Sequence, residues 1–201
     1  MKNKYFTTKR ISSIAILSAI AGLLMLVDFP VSFIAPSFYK MDISDLPCLI
    51  GTFSLGPTAG AIIELLKILI KLILKPTSTA FVGELSNFLC GIALCIPAGL
   101  IYNKKHNKNG AIESLIVGSL SYILIGSLIN YFITIPAFVS LYHIELDTII
   151  DMGKAIFPFI TSKFMFVLVC VSLFNLFKIA LVSILTYFLY KRISPLLKAK
   201  K

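Results

Sequence analysis

Two histidines, four cysteines and nine acidic residues are nearly all that this 201-residue chain offers for reaction chemistry. His106 and His143 fall in two different connecting segments, and no G-x-S-x-G, H-E-x-x-H or paired-carboxylate pattern accompanies them. No set of nucleophile, base and metal ligands for an enzyme is therefore in view. Cys48, Cys90, Cys95 and Cys170 are scattered without a C-x-x-C pair, so neither a disulfide framework nor a metal site is indicated. They read as small buried apolar residues. A P-loop is also lacking, so any ATP-driven step must come from partner proteins. The set of acidic ligands expected for a cation path is missing, so an ion is not the expected cargo.

What the chain has in abundance is apolar surface. It is 58% hydrophobic and only 14% charged, with a mean hydropathy of +0.94. Apolar runs fall near 11–27, 46–74, 80–102, 111–139 and 156–190, each near or above the roughly 20 residues that cross a bilayer. The class is all-α, a polytopic membrane protein with no stretch left for a separate soluble domain. Basic residues precede the first run as in a signal peptide. No small-residue cleavage site precedes Asp28, however, so the run is read as a retained helix.

The net charge of +10 does not point to nucleic acid, because of where the charge lies. Twelve of the nineteen Lys and Arg sit in residues 2–10, in "NKKHNKN" (103–109) and in 191–201. Such clusters mark cytoplasmic loops. Five helices would leave two of the three outside. The second run, however, contains "LGPTAG", where Pro57 suits a first helical position and Gly56 a turn. Splitting it gives six transmembrane helices with cytoplasmic N- and C-termini in one domain, 1–201. The predicted helices are 8–27, 45–55, 57–75, 80–102, 111–139 and 156–192, with an outer lid loop over 28–44. Asp45 is placed to N-cap the second helix; "KPTST" (75–79) and about 140–154 form the other outer connections.

Depth follows from the helical rise of 1.5 Å per residue. Lys178 lies about 21 Å and Asn175 about 25 Å from the Arg192 end; Asn87 stands about 22 Å from Tyr102, and Asn130 about 28 Å from Ala111. Polar side chains of several helices thus reach the same outer level of a core about 30 Å thick, under the aromatic 28–44 loop. Each residue also has a plainer reading. An asparagine can bond one neighbouring helix. Lys178 can form a structural ion pair with Glu84, Glu64 and Lys67 can neutralise each other, and Lys71 can snorkel outward. Their convergence nevertheless favours a pocket open to the outside, suited to a flat, partly apolar heterocycle with hydrogen-bonding edges.

These residues resemble a known family, the S components (substrate-binding subunits) of energy-coupling factor (ECF) vitamin transporters, and most of all the riboflavin-specific type. The similarity covers nearly the whole chain. It is strongest over "FPVSFIAPSFYKMDISDLPCLIGTFSLGPTAGAIIELLK", followed in family order by "GELSNFLCG", "LINYFITIPAF" and "NLFK". The resemblance implies the ECF S-component fold. Riboflavin would be bound as transported substrate, with no cofactor, through Asn130, Asn175 and Lys178. Asn87, Glu84 and the loop residues Tyr39, Lys40, Met41 and Asp42 would lie around it. It also implies a bacterial cell membrane location, a transmembrane coupling subunit docked on an Ala-x-x-x-Ala surface at Ala15 and Ala19, and two ABC-type ATPases. Small residues at that spacing, with Ser18 and Gly22 alongside, serve equally for packing within the chain. Other readings are an S component for another vitamin, such as thiamin, whose positive charge Lys178 disfavours, and a self-sufficient secondary transporter, for which an internal repeat is wanting.

Overall fold

A computed structural model of the chain describes residues 7–197, with Lys191 and residues 193–197 described by their backbone only. Lys2, Lys4, Lys198, Lys200 and Lys201 of the basic clusters lie outside the described residues. The chain is mostly helix: α1 (Thr8–Leu26), α2 (Asp45–Leu55), α3 (Pro57–Leu74), α4 (Val82–Lys104), α5 (Lys108–Ile129), α6 (Ile135–Tyr142), α7 (Leu146–Lys154), α8 (Lys163–Phe166) and α9 (Ser172–Leu197). Two short strands, β1 (Phe29–Pro30) and β2 (Lys40–Met41), pair antiparallel within the α1–α2 connection.

The exposure pattern is that of a multi-pass membrane protein. Ile16, Ile20 and Leu23 on α1, Leu65, Leu69 and Ile73 on α3, Leu120 and Leu124 on α5, and Leu176, Ile184 and Phe188 on α9 all face outward. The fully buried side chains include Lys67, Glu64 and Thr52. A soluble protein has the opposite arrangement. Four stretches, Thr8–Leu26, Val82–Lys104, Lys108–Tyr142 and Lys163–Tyr190, are long and apolar enough to cross a membrane. The other two long elements differ in kind. α2 has only 11 residues, and α3 carries Glu64, Lys67 and Lys71 within its 18 residues.

Gly56, with φ +97, makes the turn between α2 and α3, in backbone space that side chains resist. One turn later Gly60 lets α3 lie against α2 and α4: a Cβ there would overlap Thr52 Oγ1 and come within 3.2 Å of Cys95.

Several expected boundaries are corrected. The helix expected over 111–139 runs from Lys108 to Tyr142, with a π-helical turn at Asn130–Thr134. Ile135 N–H bonds the Asn130 carbonyl five residues back, and Pro136, lacking an N–H, cannot continue the α pattern through this turn. The last helix begins at Lys163, capped by Ser162, rather than at 156, and it too contains a π turn, Val167–Val171. Ser172 Oγ bonds the Val167 carbonyl there. The connection expected over 140–154 contains α7, which buries Ile149 and Gly153 and exposes its charged side.

Two apolar clusters divide the interior. One, with Leu49, Phe53, Ile63, Leu94, Tyr102 and Tyr190, fills the end that carries the 105–107 corner. The other, with Val31, Ala35, Met41, Phe166, Cys170 and Phe174, lies under the 27–44 loop at the opposite end. Between them runs the polar layer described below. Gly60→Val should destabilise the protein by about 2 kcal/mol, since overpacking at a close helix crossing outweighs any gain in helix propensity. A thermal melt in detergent that is unchanged or raised would contradict this packing.

Candidate functional site

The polar layer is built on five ionisable side chains, all buried: Asp42, Asp45, Glu64, Lys67 and Lys178. They come from the loop, from α2, from α3 and from α9. Lys178 Nζ stands 3.2 Å from both Asp42 Oδ2 and Asp45 Oδ2. Lys67 Nζ lies 2.7 Å from Asp45 Oδ1 and 2.5 Å from Glu64 Oε2, and donates to Asn87 Oδ1 at 3.4 Å. Asp45 Oδ2 and Glu64 Oε2 make these contacts as ion pairs, without aligned hydrogen bonds. Asp42 is itself held by the Ser44 N–H at 2.8 Å and by the Ser44 hydroxyl. Two ammoniums face three carboxylates in a region of low dielectric, where an unpaired charge costs several kcal/mol.

Three of the expected placements differ in the structure. Lys178 pairs with Asp42 and Asp45 and makes no pair with Glu84. Glu84 instead bonds Lys71, Thr77 Oγ1 (2.9 Å) and Thr79 Oγ1 (2.8 Å) near the start of α4. Lys71, expected to snorkel, is held in that bond. Asp45, expected as a cap, is the first residue of α2 and makes no cap bond; two buried ammoniums take its carboxylate. Glu64 and Lys67 do pair, but Asp45 and Asn87 share the lysine.

Beside this network the two π-turned helices bring Asn130 and Asn175 together over Gly126. Asn130 Nδ2 donates to the Gly126 carbonyl at 2.8 Å, and a Cβ on Gly126 would stand 2.7 Å from Asn175 Nδ2. Asn130 Oδ1 accepts from Tyr39 OH at 2.8 Å. Asn175 Nδ2 is buried and has no hydrogen-bond partner among the described residues. An unmet amide donor in such a place is expensive, and it lies one helical turn from Lys178.

The 27–44 loop covers these groups. The Tyr39 ring packs 5.5 Å from Phe174 and 6.4 Å from Phe166. Burial pushes its phenol well above its ordinary pKa, so it is a neutral donor to Asn130. Met41 and Asp42 point inward. Lys40 does not join them: it is exposed and reaches Asp28 at 3.5 Å, and Lys75 bonds the same carboxylate at 3.1 Å. Partial burial works to raise the Asp28 pKa, but Lys75 and Lys40 outweigh it and hold the carboxyl below the usual range. The loop is thus pinned at its rim by Asp28 and at its inner end by Asp42.

Two cavities, of about 290 and 360 Å³, lie at the other end of the bundle. Their walls include Tyr102, His106 and Tyr190 in one and Lys104 and Lys105 in the other, and they share no residue with the polar layer. Neither gathers the buried charges or the unmet Asn175 donor of that layer. Among the described residues no group of three or more His, Cys, Asp and Glu is placed to hold a metal ion.

The chain is similar to known proteins. Residues 9–190 match the family described as "ECF transporter, substrate-specific component". The riboflavin transporter RibU of Staphylococcus aureus (strain TCH60) is 31% identical over 190 residues, covering 94% of this chain and 93% of that protein. The riboflavin transporter FmnP of Bacillus subtilis (strain 168) is 30% identical over 136 residues, 67% of this chain and 71% of its own. A solved structure described as the S component of a bacterial ECF transporter matches with a TM-score of 0.74 at 32% identity, covering 95% of this chain and 98% of that one. Match length, shared fold and relatives together place this chain in the family of ECF transporter substrate-specific components.

Proposed function

We propose that this chain captures riboflavin in the bacterial cell membrane and delivers it to an ECF-type, ATP-driven uptake machine. The single observation that carries the reading is the meeting of Asn130 and the unpartnered Asn175 amide over Gly126, beneath an aromatic loop. Amide edges flanked by Tyr39, Phe166 and Phe174 suit a flat heterocycle with donors and acceptors on its rim. Riboflavin is chosen because two relatives bear that name. It enters as cargo, with no resident cofactor.

In this reading Asn130, Asn175 and Lys178 bond the polar ring edge and ribityl hydroxyls. Asn87 contributes through Lys67. Tyr39 occupies the Asn130 carbonyl until the ligand takes its place, so the 28–44 loop has to shift, with Met41 and Asp42 closing over the bound molecule. Glu84 and Lys40 act at the rim: Glu84 ties α4 to α3 through Lys71, and Lys40 helps pin the loop to Asp28.

Six helices span the membrane with both termini cytoplasmic. α3 counts as a span because Glu64 and Lys67 are fully buried while its outward face is Ile62, Leu65, Leu69 and Ile73. α2, too short to cross alone, is wrapped by protein, with residues 45–53 buried. Ala15 and Ala19 lie exposed among Ile11, Ile16, Ile20 and Leu23, a flat face on which a transmembrane coupling subunit docks. Two partner ATPases supply the energy.

Asn175→Ala and Lys178→Ala should each raise the riboflavin dissociation constant by about tenfold or more, read from quenching of flavin fluorescence. Unchanged affinity in both would remove these residues from the site. Gly126→Ala should weaken binding as well, because the new methyl displaces the Asn175 amide; wild-type affinity in that variant counts against the Asn130–Asn175 geometry. Ala15→Trp with Ala19→Trp should abolish uptake in cells and leave riboflavin affinity within about twofold of wild type. Retained uptake would rule out that face as the docking surface.

A further inference from the structure

We infer that Asp45 is a positioning residue of the binding site, fixing the Lys178 ammonium from the rigid side of the pocket. The inference rests on the reading of the site as the riboflavin pocket. A lysine is a point charge on a flexible four-carbon stem and brings no orientation of its own. Lys178 is oriented by two carboxylates, Asp42 and Asp45, each at 3.2 Å. The two are not equivalent. Asp42 belongs to the loop that has to shift when a ligand enters, one residue beyond β2. Asp45 is the first residue of α2, fully buried, and its backbone belongs to a helix packed against α1, α3, α4 and α9.

When the loop moves, Asp45 stays, so Lys178 keeps an anchor throughout. Asp45 is itself braced. Its Oδ1 meets Lys67 Nζ at 2.7 Å, and Lys67 is held in turn by Glu64 and Asn87. The helix N-terminus at Asp45 adds a favourable field for its negative charge. The line Asn87–Lys67–Asp45–Lys178 therefore carries the rigidity of α3 and α4 to the one ammonium on α9 that faces the proposed ligand. Asp45 touches no ligand in this account and acts through Lys178.

A double-mutant cycle tests this, using the full chain in detergent and riboflavin fluorescence as the probe. Asp45→Asn keeps the side-chain shape and removes the charge. It should weaken binding on the order of ten- to a hundredfold, because the buried Lys178 ammonium loses its fixed anion. In a Lys178→Gln background the same change should alter affinity by no more than about twofold, because the residue it acts through is already gone. A purely structural role lowers affinity in either background. Should Lys178→Gln fail to fold, Lys178→Met, which keeps the stem length and removes the ammonium, replaces it in the cycle. Wild-type affinity in Asp45→Asn overturns the inference, and so does a loss that multiplies with that of Lys178→Gln. If Lys178→Gln alone binds riboflavin normally, the assignment of the pocket fails and the inference falls with it.

Discussion

A lysine ammonium buried in a membrane protein has to find anions, and most of this architecture follows from how Lys67 and Lys178 do so. Both reach Asp45, the residue at which α2 begins. Lys67 brings in α3, and through Asn87 α4. Lys178 brings in α9, and through Asp42 the covering loop. Breaking a buried pair of this kind costs about 3–5 kcal/mol, and here the pairs share members, so the helices are tied as a set. The short α2 is the element that benefits most. It has too few residues to hold a transmembrane position alone, and its first carboxylate is clamped by two neighbouring helices.

The same network explains the placement of the groups proposed to face the ligand. With the ammoniums fixed, α5 and α9 cross where Gly126 allows Asn175 to lie against the backbone. The π turns at Asn130–Thr134 and Val167–Val171 adjust the two helices on the loop side of that crossing, and Ser127 and Ser172 bond across it at 3.0 Å. Extra-residue turns of this type recur at functional positions because they re-aim a side chain without ending the helix. Asn130 starts the first of them. The loop then closes the site with the Tyr39 bond to Asn130, the Asp42 pair with Lys178, and aromatic packing. Such a lid can be exchanged for a ligand that offers similar contacts.

Much of this was legible in the residues. The apolar runs announced a membrane protein, "LGPTAG" separated α2 from α3, and helical rise placed Asn130, Asn175 and Lys178 at one depth. What depth does not supply is rotation. Glu84 lies at the outer end of α4, but α4 turns it towards Lys71 and the Thr77–Thr79 turn, and Lys178 finds Asp42, 136 residues away in sequence. Asp45 reads as an ordinary N-cap in one dimension; only the packing of α3 and α9 shows two ammoniums around it. The first π turn had a signal in Pro136. The second had none as strong, since Val167–Val171 is an unbroken apolar stretch whose register is set by Ser172 and its neighbour on α5.

The central claim is that this layer of amides and paired lysines is one ligand site, and that the ligand is riboflavin. Its most direct test is equilibrium titration of the wild-type protein, purified in detergent and freed of bound flavin, with riboflavin fluorescence as readout. The account predicts quenching that saturates at one riboflavin per chain, at submicromolar concentrations. Fluorescence that stays proportional to added riboflavin throughout, with no saturable loss, would contradict it.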